Sequence, residues 1–397
     1  MKENTILSLV RQIGKADRER SLELQVRVRV LKECPRCGHK ILHRHQAMPA
    51  RSVLHAFVAG RWVSLRWTPL RLRCARCGKT FTCGPKGVRR WSRFSDDAVE
   101  MLVVYSRRLN YGSLAGLVNL DRRRIPRLLV RRVGTEIVPE VDKPVVMTLD
   151  ELSYSHHDMM CIAGELAPTK RILTLLDDDR LATVERYLLS LKDAGVEVEA
   201  FVIDMKDGWR KAVKRVFPGV KVIVDPFHVI QDANRRLDQA RLVEQDASGY
   251  KISKYALVKS REKLTPKQAA EVDWIRGRFG ALYEMYLLKE DLRKIVGLDS
   301  EERAKQEISR WLINAESAAN VEGRMWSKTI RSWRQELLNL AHYTERGRRY
   351  TNGYIEGKIT LVKMVKRLGF GFRNRASFKT KALVGCCSQD QIPQLLT

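Results

Sequence analysis

Three apolar runs of strand length each stop at an aspartate: VVMTL at Asp150, AFVI at Asp204 and KVIV at Asp225. Short apolar runs bounded by turn signals read as buried strands. A carboxylate at the end of such a strand sits at the mouth of a sheet, where open α/β sheets bind their ligands. An unpaired carboxylate in a core is costly, so three of them at strand ends are poor core filler. The stretch from Val145 to His228 therefore reads as the centre of a carboxylate site, with a late partner at Glu356.

Around these aspartates the pattern is β–β–β–α–β–α–β. Strands are expected at Val145–Leu149, Met159–Leu166, Arg171–Leu176, Ala200–Ile203 and Lys221–Val224. Helices are expected at Leu181–Ala194 and Gly208–Val216, stopped by Gly195 and Pro218. A three-strand meander followed by alternating helix and strand gives an α/β domain with a mixed sheet of ribonuclease-H type. His156 and His157 fall in a hairpin turn and take no role.

Strand signals vanish over 229–349. VIQDANRRLDQARLVEQD, DWIRGRFGALYEMYLLKEDLRKIVG, SEERAKQEISRWLINAESA and MWSKTIRSWRQELLNLAHY read as amphipathic helices of one large all-α insertion. Its Trp274, Trp311, Trp326 and Trp333 read as core or interface. Asn352 and Gly353 then start a helix with Ile355, Ile359, Val362 and Val365 packed inward. Lys358, Lys363, Lys366 and Arg367 make that helix basic, suited to a phosphate backbone, and Glu356 and Lys363 share a face two turns apart.

The chain carries 74 Lys and Arg against 46 Asp and Glu, a net +28. Residues 1–140 hold 30 basic and 11 acidic residues, so this third carries most of the excess. Such a balance implies a polyanionic partner, nucleic acid first. No apolar run reaches the roughly 18–20 residues of a membrane span. The first twenty residues are charged throughout, unlike a signal peptide, so a soluble intracellular protein is expected.

That basic third contains two knuckles, CPRCG at Cys34–Gly38 and CARCG at Cys74–Gly78. Cys34, Cys37, Cys74 and Cys77 supply four thiolates for a tetrahedral Zn²⁺. His43, His45 and Cys83 are candidates to replace one ligand. Before the first knuckle, SLELQVRVRV alternates as a half-exposed strand; residues 1–20 read as a loosely ordered arm. After the ribbon come three helical patterns. Ser95 caps the first, with Ala98, Met101, Leu102 and Tyr105 at helical spacing. Asp121 is taken as the cap of the third, which packs Ile125, Leu128, Leu129 and Val133. Its outer face carries Arg122, Arg123, Arg124, Arg127, Arg131 and Arg132, as a helix-turn-helix presents a recognition helix to DNA. The expected organisation is 1–90 for the arm and zinc ribbon, 91–140 for the helix-turn-helix and 141–228 for the catalytic domain. The insertion occupies 229–349, and 350–397 returns to the catalytic domain.

Three carboxylates on separate segments suit a pair of Mg²⁺ (or Mn²⁺) ions, which take oxygen ligands and keep several waters. Two such ions serve in-line phosphoryl displacement on DNA. Asp150 would bridge both, Asp204 bind one and Glu356 the other.

The motifs CPRCG, CARCGKTF, LDELSY, VIDM, VDPFHVI and NGYIEGKI…VKRLGFGFRN together resemble the ISL-three family of bacterial insertion-sequence transposases, within the wider DDE group. The resemblance spans nearly the whole chain. It implies a catalytic triad of Asp150, Asp204 and Glu356, with Lys363 as the following basic residue. Asp225 and His228 match the D-x-x-H element found after the second aspartate in transposases with a helical insertion, and take a supporting role. Asp225 competes with Asp204 for second ligand, and the strand-end position favours Asp204. Gly357–Thr360 stands where the family often has Asn-rich residues. The implied activity is binding of terminal inverted repeats, cleavage and strand transfer, by a dimer or larger assembly in the bacterial cytoplasm at the nucleoid. Two other readings remain at this point: a transposase-derived DNA-binding regulator, and a structure-selective nuclease of the same fold.

Overall fold

The computed structural model describes residues 22–28, 30–155 and 157–396. The expected arm over residues 1–20, and His156, lie outside the described residues. Among the described residues no helix is long and apolar enough to cross a membrane.

The described residues open with six short strands: β1 (Leu22–Gln25), β2 (Leu42–Ala47), β3 (Arg51–Val58), β4 (Arg61–Trp67), β5 (Leu70–Cys74) and β6 (Thr80–Cys83). They form two three-stranded sheets, ordered β1-β4-β3 and β2-β5-β6. In the first, Val53, Leu65 and Trp67 make a small core, covered by Leu24, Val26, Val28 and Val88. The alternation expected over Leu22–Val30 holds as far as Val28, with Leu24, Val26 and Val28 turned inward and Glu23, Gln25 and Arg27 outward, but the strand stops at Gln25 and Val30 is exposed.

Three helices follow: α1 (Asp96–Ser106), α2 (Tyr111–Leu117) and α3 (Arg124–Arg132). Ser95 caps α1, accepting from the Ala98 N–H at 3.1 Å. The buried face of α1 is Ala98, Val99, Leu102 and Val103; Tyr105, expected inward, is exposed. Asp121 is not the cap of α3: it accepts from Arg123 N–H at 2.7 Å in the preceding turn, and α3 starts at Arg124. Ile125 and Leu129 pack inward as expected. Arg132 leaves the expected outer face and pairs with Asp96, because that carboxylate is its nearest compensation when largely buried.

The second half begins with β7 (Val145–Ser155), β8 (Asp158–Ala167) and β9 (Arg171–Leu175), then α4 (Leu181–Asp193), β10 (Val198–Ile203), α5 (Asp207–Val216) and β11 (Lys221–Val224). The sheet order is β11-β10-β7-β8-β9. β7, β8 and β9 run antiparallel as a meander; β10 and β11 join parallel to β7. This mixed α/β sheet has β7 near its middle, and residues 145–150 are all buried. One expectation fails here: β7 does not end at Asp150 but runs on to Ser155, because Glu151–Ser155 pair with β8 in a hairpin. On the parallel side the ladder does stop at Leu149–Ile203, so Asp150 and Asp204 emerge together just beyond it.

Helices α6 (Pro226–Ser248), α7 (Lys254–Val258), α8 (Pro266–Arg278), α9 (Gly280–Ile295), α10 (Glu301–Ser317), α11 (Val321–Ser332) and α12 (Arg334–Glu345) follow. Two expected long helices are each broken. Phe279 separates α8 from α9, with non-helical dihedrals (φ −130°, ψ 69°) and a buried ring, and Trp333 separates α11 from α12. Trp311, Trp326 and Trp333 are buried, and Trp311 and Trp326 meet edge to face at 4.8 Å. Trp274 is half-buried against Tyr250 and Phe279.

The chain ends with α13 (Gly353–Leu368), α14 (Arg375–Cys386) and α15 (Ile392–Leu395). The described chain forms two compact units, one drawn from residues 1–135 and 361–397, the other from residues 136–360. The segment expected at 350–397 therefore straddles both. In the first unit α14 packs on α1 and α3, where Lys381 donates to the carbonyl of Leu109 at 2.7 Å.

Candidate active site and zinc-type cysteine cluster

Within the second unit, β7 delivers Asp150, the end of β10 delivers Asp204, and the β11–α6 junction delivers Asp225 and His228. All three aspartates are buried, between 1% and 4% exposed. Asp225 is the N-cap of α6, accepting from Phe227 N–H at 3.1 Å and His228 N–H at 3.4 Å, with Pro226 opening the helix. This places His228 one turn in, where its Nδ1 lies 3.0 Å from Asp204 Oδ1 and 3.2 Å from Asp225 Oδ2. Ligand atoms of Asp150, Asp204 and His228 fall within 4.8 Å of one another. Glu356, in the first turn of α13 and half-buried, stands outside that cluster yet close enough to feel the charge of Asp225, His228 and Asp204. Lys363 is exposed two turns further along α13; Lys358 is half-buried over the Tyr354 ring at 5.3 Å.

Electrostatics register the crowding. Burial and the neighbouring Asp204 charge push the Asp150 carboxyl up to about 8. Burial also raises Asp204 and Glu356. His228 resists its own burial, and the two flanking aspartates hold its imidazole at about 10. Asp150 Oδ2 is buried without a hydrogen-bond partner. Oxygen ligands converging on a spot that contains an orphaned carboxylate oxygen are the chemistry a hard divalent cation satisfies. The residues fit such an ion.

Two residues that sequence reasoning passed over complete the site. Asn352, wholly buried, donates from its side chain to Asp204 Oδ1 at 3.0 Å and to the Leu149 carbonyl at 3.4 Å. Its own N–H donates to Asp225 Oδ1 at 2.8 Å, and its side-chain oxygen accepts from Thr148. Lys206, just after Asp204, pairs with Glu151 and with Asp179. An open cavity of about 440 Å³ beside the aspartates is lined by Glu151, Asp204, Lys206, His228, Asp232 and Arg235 among others. Next to Asn352, Ile355 packs directly over Gly164 of β8, so that a Cβ at 164 would collide with Ile355 and with the Arg171 carbonyl at 3.1 Å. The missing side chain sets how closely the first turn of α13 approaches the sheet.

In the first unit Cys34, Cys37, Cys74 and Cys77 bring all four sulfurs within 4.8 Å of one another. The Cys34–Cys77 and Cys37–Cys74 separations are 3.7 and 3.6 Å, and no disulfide joins them. Sulfurs at about 2.3 Å from a tetrahedral Zn²⁺ stand about 3.8 Å apart, so the set fits zinc. Gly38 and Gly78 turn the knuckles with φ of +69° and +65°, and their N–H groups donate to Cys34 and Cys74 carbonyls. His43, His45 and Cys83 are not in the cluster.

Residues 147–382 match the transposase family denoted DDE_Tnp_ISL3. The chain belongs to the ISL3 family of DDE transposases. This transposase is 21% identical over 365 residues to the transposase for insertion sequence element IS1001 of Bordetella parapertussis, covering 88% of this chain and 87% of the relative. It is 24% identical over 404 residues to the transposase for IS1557 of Mycobacterium tuberculosis, covering 87% and 83%. Among solved structures, the Drosophila P element transposase strand transfer complex aligns at TM-score 0.42 and 11% identity, over 75% of this transposase and 93% of that chain.

Proposed function

We propose that this transposase binds the terminal inverted repeats of its own insertion sequence and carries out metal-dependent DNA cleavage and strand transfer. On this reading residues 1–90 hold a zinc ribbon, 91–140 a helix-turn-helix and 141–228 the first part of a ribonuclease-H-like domain, which the Glu356 helix completes after the α-helical insertion. The observation that carries it is the convergence of Asp150, Asp204 and His228 around an unpartnered Asp150 oxygen.

Asp150, Asp204 and Glu356 are the residues that would hold Mg²⁺ or Mn²⁺. Such ions, when bound, stabilise both the attacking and the departing oxygen of a phosphoryl displacement. Asp225 and His228 act behind them: His228, held as imidazolium, fixes the Asp204 carboxylate from one side while Asn352 fixes it from the other. Asp225 anchors both His228 and the backbone of Asn352, tying α6 to the start of α13. Lys363, Lys366 and Arg367 on α13, with Lys358, supply positive charge for the DNA backbone. Arg122, Arg123, Arg124, Arg127 and Arg131 supply it from the first unit, where all five are exposed. Two transposon ends have to be joined, which calls for a dimer or larger assembly.

The test is Mg²⁺-dependent cleavage of labelled DNA carrying the element's terminal repeat. Cleavage at the repeat boundary is expected, and its loss in Asp150→Ala, Asp204→Ala and Glu356→Ala. Cleavage that persists in any of the three removes that residue from the site. Tight repeat binding with no cleavage by the unchanged protein would instead favour a DNA-binding regulator.

A further inference from the structure

A cleft of about 730 Å³ opens in the first unit, between the segment that precedes α1 and the exposed face of α3. One wall carries Arg90, Trp91 and Arg93; the other carries Arg124, Arg127 and Arg131, which share a helix face at spacings of three and four. The first wall is fastened to the edge of β3. Leu54 N–H donates to the Arg93 carbonyl at 3.0 Å, Ser95 N–H donates to the Leu54 carbonyl at 2.9 Å, and Arg51 donates to the Ser92 carbonyl at 3.2 Å.

The cleft has an excess of unanswered charge. Asp96, nearby, is already engaged by Arg89 and Arg132. Among the described residues none of Arg90, Arg93, Arg124, Arg127 and Arg131 has an acidic partner. At its rim Trp91 is 75% exposed, in a left-handed backbone conformation with φ +64°. Residues held in this sparsely populated backbone region cluster at ligand-binding sites. Arg90 and Arg51 lie 5.4 and 5.9 Å from the ring centroid, so the ring sits among guanidinium groups.

Guanidinium forks match phosphate oxygens, and an exposed indole offers a stacking face to any base. The volume is that of a small-ligand site, within roughly 300–1,000 Å³. A duplex is read by an element that projects into its major groove, and this site is a cleft instead. We propose that the cleft binds a single-stranded segment of DNA, its phosphates on the arginines of both walls and one unpaired base stacked on Trp91. The proposal rests on the transposase reading for the identity of the polymer. It assigns Arg124, Arg127 and Arg131 to the backbone of a strand and leaves Arg122 and Arg123, outside the cleft, to the duplex.

The experiment uses the full chain with zinc supplied and no Mg²⁺ or Mn²⁺, titrated by fluorescence anisotropy against a labelled twelve-residue oligothymidylate and, separately, the duplex terminal repeat. Trp91→Ala is expected to weaken oligothymidylate binding about 5- to 150-fold. Duplex binding should stay within about twofold, and Trp91→Phe should restore most of the loss. Arg90→Ala with Arg93→Ala should lower the slope of log affinity against log salt for the single strand by about 0.7 per phosphate contact removed. Unchanged oligothymidylate binding by Trp91→Ala overturns the proposal, as does an equal loss on both DNAs. If the unchanged protein binds the duplex repeat yet Trp91→Ala has no effect on oligothymidylate binding, the cleft assignment fails alone. If it binds neither DNA, the transposase reading fails with it.

Discussion

The amide of Asn352 donates to Oδ1 of Asp204 at 3.0 Å, joining the start of the Glu356 helix to the carboxylate at the end of β10. Partners that orient metal-binding carboxylates typically change affinity 10- to 100-fold when removed. Asn352→Ala should therefore weaken Mn²⁺ binding by about that factor, measured by calorimetry, with the melting curve of the second unit retained. Asn352→Asp should be worse, because it adds a fourth buried carboxylate to the cluster. Unchanged Mn²⁺ affinity in the alanine variant would reduce Asn352 to a helix start.

Metal binding should release a proton. Asp150, raised to about 8 by burial and by Asp204, is largely protonated at pH 7 without a cation, and a bound cation requires the carboxylate. His228, held near 10, keeps its charge across the same range. Affinity should climb as pH rises towards 8 and level off above it. Calorimetry at pH 7 in two buffers of different ionisation enthalpy should show about one proton released per binding event, absent in Asp150→Asn.

Zinc should be an integral part of the β2-β5-β6 sheet. Five of the six β2 residues are exposed, so little apolar burial holds that strand. Elemental analysis is expected to find one zinc per chain. Cys37→Ser combined with Cys77→Ser should abolish it and lower the affinity for repeat DNA, while the circular dichroism of the helical second unit persists. A zinc-free protein with full DNA affinity would refute the assignment.

Lys381 offers a pH signature in the first unit. Its burial lowers the ammonium to about 8, against 10.5 in the unfolded chain. Between those values the unfolded state binds more protons, so stability rises with pH, by roughly 3 kcal/mol in total. Urea melts at pH 7.5 and 10 should show most of that gain after other titrations are subtracted with Lys381→Met. The variant should have a flatter profile and higher stability at neutral pH. An identical profile in both proteins would mean that Lys381 is solvated.

What the sequence disclosed and what it hid follow from the range of the forces involved. Buried strands are near-continuous apolar runs, so β7, β10 and β11 and their aspartates could be read directly. The helix that carries Glu356 could be read because the apolar period of α13 is regular, while the choice of Glu356 on it was implied by the family resemblance. Asn352 could not, since Asn-Gly ahead of an apolar period signals a helix start whether or not its amide also holds a carboxylate. Asp225 was legible as a strand-end carboxylate, whereas its second role as the cap of α6 lay in the less conspicuous Asp-Pro signal. Breaks at Phe279 and Trp333 are set by buried rings and leave the apolar period intact. The arginine cleft joins residues more than thirty positions apart, and no local pattern announces it.

The first unit takes residues from both sides of Glu136–Thr360. A ribosome adding about 5–20 residues per second needs roughly 10–45 s to cross that interval. Over that time α1 and α3 exist without α14, the helix that packs against them. The usual order, amino-terminal body first, is reversed: the carboxylate-bearing body can close while the most basic part of the chain is still incomplete. A nascent chain therefore carries α1 and α3 without their packing partner until synthesis has passed Cys386.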